Sequence, residues 1–383
     1  MDLIQLHQND YEEAIDFINM VFSMDSAPTN FPELLPAYYQ PTETHMKCHF
    51  AIKSQGKIQA LAGIYPGVLK VGDTSLKLAR IGAVSTHPYN REHGLMQTLV
   101  NHCTAWVRNE GFDLSHLGGL RHRYLYFGYE KCGYKLVFTI NRHNLKHHPS
   151  LSPQGLEIRP LTDEDELLTG QLITLHDRQI IHAERPAGEF QKFCRNWNHV
   201  LYVAFEAQKP VGYLAANKEG NHIFEIMAVD DLVAARMVAG FLHMGNHESI
   251  DVELSPVEPA LIFRFGTIAE SMVIKDAHNW SVINWPLVLQ SLLVVKNRLT
   301  PLLNGELVVG ISGFGNLRLS VAGENVSCKM TDEEPALKLN PSVAMRLFFG
   351  PLDPALVVKL SGEARILKAW CPLPLWMSTQ DFA

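Results

Sequence analysis

Residues 81–134 read IGAVSTHPYNREHGLMQTLVNHCTAWVRNEGFDLSHLGGLRHRYLYFGYEKCGY. The segment opens with a short apolar run, Ile81 to Val84, which is followed by a polar turn. From Gly94 onward the apolar residues recur at helical spacing until Glu110-Gly111, where a glycine ends the helix. The pattern predicts a strand, a turn and a helix, with Arg91 and a glycine at the helix N-terminus. Such an N-terminus carries unpaired N–H groups and a partial positive charge, which favour a phosphate.

The six residues Arg91 to Met96, REHGLM, resemble the central motif Gln/Arg-x-x-Gly-x-Gly/Ala of the GCN5-related N-acetyltransferases (GNATs). The resemblance implies that this loop wraps the pyrophosphate of acetyl-CoA in backbone N–H groups, and that the preceding strand pairs with the pantetheine arm. Met96 departs from the small third residue of the motif, and an ordinary strand-to-helix turn is the alternative interpretation. The implied cofactor-binding residues are Val84, Ser85, Thr86, Arg91, Glu92, His93, Gly94, Leu95 and Met96.

A tyrosine-rich element, YLYFGY, follows at residues 124–129 and resembles the Eis-like ("enhanced intracellular survival") acetyltransferases. In that family the first tyrosine of the element is the general acid, and the resemblance gives this role to Tyr124. A second, overlapping copy begins at Tyr129, which is the alternative acid. A phenol with a pKa near 10 can protonate a leaving thiolate, whose own pKa is about 8.5. Packing in the core is the other interpretation of these tyrosines.

The composition narrows the class of protein. A chain of 383 residues predicts two or three domains, and a formal charge of −7 argues against nucleic-acid binding. The six cysteines and 18 histidines show no metal-ligand spacing, so no metal is expected, and reduced thiols suit the cytoplasm. No signal peptide is visible, and the longest apolar run, Trp285 to Val295, is too short for a membrane span.

The sequence predicts an α+β protein in three units. Residues 1–146 form the catalytic unit, a mixed GNAT-fold sheet that Lys135 to Asn141 closes as its last strand. Residues 151–275 repeat this order of elements, but Asp230-Asp231 replaces the phosphate motif at the corresponding helix, so this copy is expected to be degenerate. Short strands and apolar helices in residues 279–383 resemble the sterol-carrier-protein-like C-terminal domain of the Eis-like family.

The Eis-like resemblance implies a bacterial, cytoplasmic acetyltransferase that uses acetyl-CoA and acts by direct transfer to a primary amine. The acceptor would be a small molecule or peptide of aminoglycoside, polyamine or lysine type, and the enzyme could assemble as a dimer up to a hexamer. In that family the C-terminal carboxylate reaches the active site, which gives this role to Ala383, although the family more often ends in an aromatic residue. A tail that only packs is the alternative. Two other functions stay open, namely an acyltransferase with another donor or acceptor and a non-enzymatic protein that binds CoA and an apolar ligand.

Overall fold

The structure is a computed structural model that describes residues 2–25 and 27–383. Its strands are β1 (Asp2–Gln5), β2 (His49–Ser54), β3 (Lys57–Val71), β4 (Thr74–Thr86), β5 (Leu114–Leu117), β6 (Glu130–Lys131), β7 (Tyr134–Asn141), β8 (Leu156–Pro160), β9 (Ile181–Ala183), β10 (Val200–Glu206), β11 (Lys209–Ala216), β12 (His222–Ala228), β13 (Ser249–Leu254), β14 (Ser271–Asp276), β15 (Asn279–Val282), β16 (Gly305–Ile311), β17 (Gly315–Ala322), β18 (Asn325–Thr331) and β19 (Leu337–Leu339). Its helices are α1 (Tyr11–Asp25), α2 (Phe31–Leu34), α3 (Glu43–Met46), α4 (Leu95–Asn109), α5 (Arg121–Tyr124), α6 (Arg142–Lys146), α7 (Thr169–His176), α8 (Phe190–Arg195), α9 (Asp231–Met244), α10 (Pro259–Gly266), α11 (Trp285–Leu299), α12 (Pro341–Phe349), α13 (Pro354–Val357) and α14 (Leu367–Trp370).

The first sheet has the order β1-β2-β3-β4-β5-β15-β6, and β9 pairs with β3 beside it. Neighbouring strands are antiparallel except β4 and β5, which are parallel and are connected by α4. The apolar stripe of α4 packs on one face of this sheet through Leu95, Leu99, Val100, Cys103 and Val107. The strand, turn and helix predicted for residues 81–109 are therefore present. The turn follows the C-terminal end of β4 and leads into the N-terminus of α4.

The second sheet has the order β14-β7-β13-β12-β11-β10-β8. The strand predicted at Lys135 to Asn141 exists as β7, but it does not close the first sheet as expected; it pairs with β13 and β14 of the second. In exchange β15, from beyond the second unit, inserts between β5 and β6 of the first sheet. An alternating apolar pattern fixes which face of a strand is buried but not which sheet it joins, and that is why this prediction was wrong.

The third sheet, β18-β17-β16-β19, is covered by α11 and α12. Its core is continuous with the far end of the first sheet through Leu69, Val71, Leu76 and Leu78. Helix α11 stops at Leu299 because Thr300 precedes a proline, and residues before a proline avoid the helical conformation. The α+β class is confirmed, whereas the boundaries at 1–146, 151–275 and 279–383 stay a prediction. Within the described residues, no helix combines the length and apolar character that crossing a membrane requires.

Candidate active site

The residues predicted to bind the cofactor converge on one cavity at the end of β4. This cavity has a volume of about 430 Å³, and eight of the nine predicted residues, from Val84 to Met96, line it; His93 is exposed beside it. Gly94 caps α4 in the left-handed conformation (φ 74°), and Glu92 is also left-handed (φ 69°), which turns the loop sharply before the helix. The Oγ1 atom of Thr86 is buried and has no hydrogen-bond partner among the described residues, so a polar group of a ligand can use it.

Strand β4 separates from β5 just before this cavity. The two strands pair from Leu78 to Ile81, and beyond that point β4 continues to Thr86 without β5. The pairing with β3 also shifts register here, and Ala83 has a positive φ of 50°, as in a β-bulge. A bulge and a parted strand pair leave backbone N–H and C=O groups for an extended ligand to pair with.

The C-terminal segment enters the molecule at this same point. Residues 373–382 are almost completely buried, and the chain ends with the carboxyl carbon of Ala383 against Gly82, 2.7 Å from the position that a Cβ on Gly82 would take. Gly82 is needed because any side chain there would displace the chain end. The ring of Phe382 stacks on His116 at 4.4 Å between ring centroids, which fixes the last turn of the tail.

An ion cluster anchors the tail at Asp381, the residue before Phe382. Arg185 donates two hydrogen bonds to Asp381 (2.8 and 3.0 Å) and two to Glu225 (2.8 and 2.6 Å). The three side chains are at most 1% exposed. Tyr38 adds a hydrogen bond to the carbonyl oxygen of Asp381 at 2.7 Å. The cluster joins the tail to the second sheet and to the loop before α3, so it sets where the chain end lies.

The two candidate acids have different surroundings. Tyr129 is 1% exposed and its hydroxyl lies 2.7 Å from that of Ser115. Ser115 donates its own proton to the carbonyl of Ala79, so Tyr129 must be the donor in the hydrogen bond to Ser115. The phenolic proton of Tyr129 is therefore engaged inside the core. Tyr124 ends α5, 6% exposed, beside Gly119. Burial raises the pKa of Tyr124, while the neighbouring Arg123, which lines the cofactor cavity, opposes the shift.

A second, larger cleft of about 1490 Å³ lies at the other end of β4. Elements of all three parts of the chain line it, among them Tyr38, Tyr65, Arg80, His182, Arg185 and Arg298. Two of these lining residues, Tyr38 and Arg185, bind Asp381, so the cleft lies beside the C-terminal segment.

Sequence reasoning missed several of the side chains around the chain end. Arg80 and His116 are buried and face each other across β4 and β5; a charged residue inside the apolar run of β4 was the available signal for Arg80. The structure also brings His176, Asp177 and His182 together, with possible ligand atoms within 4.8 Å, a grouping that spacing alone did not indicate. Hydrogen bonds already engage Nδ1 of His176 with Asp177 and Nδ1 of His182 with a backbone carbonyl.

The second sheet offers no equivalent of the cofactor loop at the start of α9. There Asp230 caps the helix by accepting a hydrogen bond from the N–H of Val233 at 2.8 Å, and Asp231 pairs with Arg264 at 2.7 Å. The two carboxylates would repel a pyrophosphate, and the loss of the cofactor from this copy stays a prediction.

The comparison with protein families decides the class of this site. Residues 2–137 match the family model of the acetyltransferase (GNAT) domain. This part of the chain is similar to the acetyltransferase (GNAT) domain, and the match covers less than half of the chain. The chain is an N-acetyltransferase, and acetyl-CoA is the co-substrate that GNAT domains use in general. No curated protein matches the chain.

Solved structures extend the likeness beyond the GNAT domain. The chain is similar to a GCN5-related N-acetyltransferase from Kribbella flavida (17% identity, 100% of both chains, TM-score 0.69) and to a probable N-acyltransferase of unknown function from Enterococcus faecalis V583 (16% identity, 100% of this chain and 99% of that one, TM-score 0.70). It is also similar to Eis1 from Mycobacterium abscessus (14% identity, 98% of this chain and 99% of that one, TM-score 0.68). At such identities the likeness shows a shared fold over all three sheets. The sterol-carrier-like domain, the acceptor, the oligomeric state and the residue roles stay predictions.

Proposed function

We propose that the enzyme transfers the acetyl group of acetyl-CoA directly to a primary amine of a small molecule or peptide. One observation carries the proposal, namely the order of features along β4. The cofactor cavity lies at Val84–Thr86, the bulge at Ala83, the C-terminal carboxyl at Gly82 and the large cleft at Arg80. A thioester that enters from one end and an amine that enters from the other would meet beside the chain end.

The residues at this meeting point supply the groups that the reaction needs. The amine must lose a proton to become nucleophilic, and we assign help in removing it to the carboxylate of Ala383, which lies against Gly82. Backbone N–H groups at the bulge can stabilise the oxyanion that forms when the amine attacks the thioester carbonyl. The C–S bond then breaks, and Tyr124 gives its proton to the leaving thiolate of CoA. Burial keeps Tyr124 protonated until that step because it raises the pKa of the phenol.

The remaining parts of the chain would shape the acceptor side. The 177–193 segment, which includes β9, lines the cleft together with α11, and the second sheet holds the tail through Glu225. We propose that the second unit is a GNAT-like copy without cofactor and that the third is the sterol-carrier-like domain. Both would position the acceptor and the chain end rather than take part in chemistry.

A thiol-release assay tests the proposal. Purified enzyme with acetyl-CoA is offered aminoglycosides, polyamines, lysine peptides and simple amino acids, and Tyr124→Phe is compared with Tyr129→Phe. We expect Tyr124→Phe to lower kcat by roughly 10²- to 10⁴-fold while its affinity for acetyl-CoA, measured by calorimetry, stays the same. Tyr129→Phe should reduce stability rather than kcat. No release of CoA with any amine, despite normal acetyl-CoA binding, would contradict the proposal and favour a binding protein.

A further inference from the structure

Arg80 is a buried cation without a counter-ion. The residue is 2% exposed, and its Nε and Nη2 atoms have no hydrogen-bond partner among the described residues. The guanidinium extends over the α-carbon of Gly67, where a side chain would overlap Nη1. A buried charge without a partner costs several kcal/mol, so a protein that keeps one needs something that compensates for it.

The neighbours of Arg80 do not provide that compensation. Its row across the sheet places Tyr65 of β3 on one side and His116 of β5 on the other. The hydroxyl of Tyr65 is engaged by His49 at 3.0 Å, and burial lowers the pKa of His116 well below its usual value, so this imidazole is neutral. The Ala383 carboxylate lies at Gly82, further along β4 in the opposite direction to the guanidinium.

Most of the other charges that line the large cleft are paired, and Arg185 contacts two carboxylates, those of Glu225 and Asp381. Each of its remaining lysines and arginines has a carboxylate within 3.2 Å; these are Lys47, Lys70, Arg185 and Arg298. The carboxylates of Asp73, Glu184 and Glu189 each pair with a lysine or arginine, and Asp177 is hydrogen-bonded to His176. Within the described lining, each carboxylate already has a hydrogen-bond or ion-pair partner, whereas Nε and Nη2 of Arg80 have none.

We propose that Arg80 binds the carboxylate of the amine acceptor, so that the preferred acceptor is an amine that carries an anionic group rather than a polycation. Nε and Nη2 form one edge of the guanidinium fork, and such an edge binds a carboxylate through two parallel hydrogen bonds. A phosphate shares this chemistry. The proposal rests on the proposed acetyltransferase function, because it assigns the acceptor for that same site.

The positions along β4 also give the acceptor a length. The guanidinium lies over Gly67, which pairs with Leu78, and the chain end lies at Gly82. Leu78 and Gly82 are four residues apart along β4, which separates the guanidinium from the chain end by roughly 13 Å at ~3.3 Å per residue. An extended tripeptide spans about 10 Å between its amine and its carboxylate, so a short peptide fits better than a compact amino acid.

Matched acceptors test the proposal. Tri-alanine, tri-alanine amide and an aminoalkyl phosphate are compared with the wild type, Arg80→Met and Arg80→Lys. In the wild type we expect kcat/KM for the free acid to exceed that for the amide by about 10- to 100-fold, as for charged hydrogen bonds in a buried site. Arg80→Met should reduce this ratio to near one, and Arg80→Lys, which keeps the charge but not the fork, should retain part of it. Arg298→Met is the control in the same cleft and should leave the ratio unchanged.

Thermal denaturation separates this proposal from the proposed function. The free acid, but not the amide, should raise the melting temperature of the wild type and should fail to do so with Arg80→Met. Absence of thiol release with this stabilisation intact would overturn the acetyltransferase proposal and keep the anion site. An equal response to acid and amide in the wild type, or a preference that survives in Arg80→Met, would overturn the anion site. A stronger response to the phosphate would support the site and assign phosphate as its ligand. Arg80→Met should melt no lower than the wild type, and a large loss of stability would show a structural role instead.

Discussion

Replacing Arg185 by methionine should detach the C-terminal tail from its anchor. The substitution keeps much of the side-chain volume but leaves the carboxylates of Glu225 and Asp381 facing each other, both at most 1% exposed. Removing one partner of a buried ion pair typically costs about 3–5 kcal/mol. Domains are commonly stable by only ~5–15 kcal/mol, so the variant should fold but unfold at clearly lower urea concentration.

The pH dependence identifies the cause of this loss. In the wild type, burial alone would raise the pKa of Glu225, but Arg185 outweighs burial and lowers this pKa to about 2. Without Arg185 the buried carboxyl group of Glu225, which then faces Asp381, should have a pKa above its unfolded one. When the pKa of an acid is higher in the folded protein than in the unfolded chain, its ionisation destabilises the folded state at pH values above the unfolded pKa. This destabilisation decreases as the pH falls through the folded pKa, because the acid becomes protonated. The difference between Arg185→Met and the wild type should therefore be full at pH 8 and smaller at pH 5.

Urea denaturation at both pH values is the measurement, together with kcat. Arg318→Met is the matched control, because Arg318 also contacts two carboxylates, Glu306 and Glu333, but on the exposed face of the third sheet, where little change is expected. The double variant Arg185→Met with Glu225→Gln should recover part of the stability, since it removes one of the two opposed charges. A loss below ~1 kcal/mol, or one that is equal at pH 5 and pH 8, would refute the reasoning.

Three further predictions concern single positions. Gly82→Ala places a Cβ 2.7 Å from the carboxyl carbon of Ala383, so the chain end must shift. We expect kcat to fall about 100-fold, as for a displacement of ~1 Å at an active site, while the affinity for acetyl-CoA stays the same. An unchanged kcat would contradict the role of the chain end. Gly170→Ala, whose Cβ would meet nothing within 4 Å, is the control. Gly94 has a φ of 74°, and placing an alanine in this left-handed conformation should cost ~1 kcal/mol of free energy. Gly94→Ala should therefore weaken acetyl-CoA binding several-fold in calorimetry. Equal binding would show that the loop does not hold the cofactor. Burial raises the pKa of Glu258 to about 7, so ionisation of this carboxyl group opposes folding above pH 4.5. Glu258→Gln should therefore stabilise the protein by about 1–2 kcal/mol at pH 8 and have little effect at pH 5. Equal effects at both pH values would contradict the raised pKa.

The sequence alone determined the features that depend on neighbouring residues. The turn and helix of residues 84–96 are set by a glycine at the N-terminus of α4 and by the apolar stripe behind it, so eight of nine predicted residues line one cavity. The helix predicted from Gly94 to Glu110 and the strand predicted at Lys135 to Asn141 agree with α4 and β7 within one residue for the same reason. The two overlapping tyrosine elements show the limit of this reasoning, because only the hydrogen bond from Tyr129 to Ser115 distinguishes them.

The tertiary structure alone decided which distant segments meet. The exchange of β7 and β15 between the sheets, the contact of Ala383 with Gly82 and the ion pair of Arg185 with Asp381 each join residues more than 100 positions apart. Local patterns fix which face of a strand is apolar, but the partner of that face depends on how the whole chain packs. Arg80 illustrates the difference: the sequence shows a charge inside an apolar strand, and only the packed structure shows that its Nε and Nη2 atoms have no hydrogen-bond partner among the described residues.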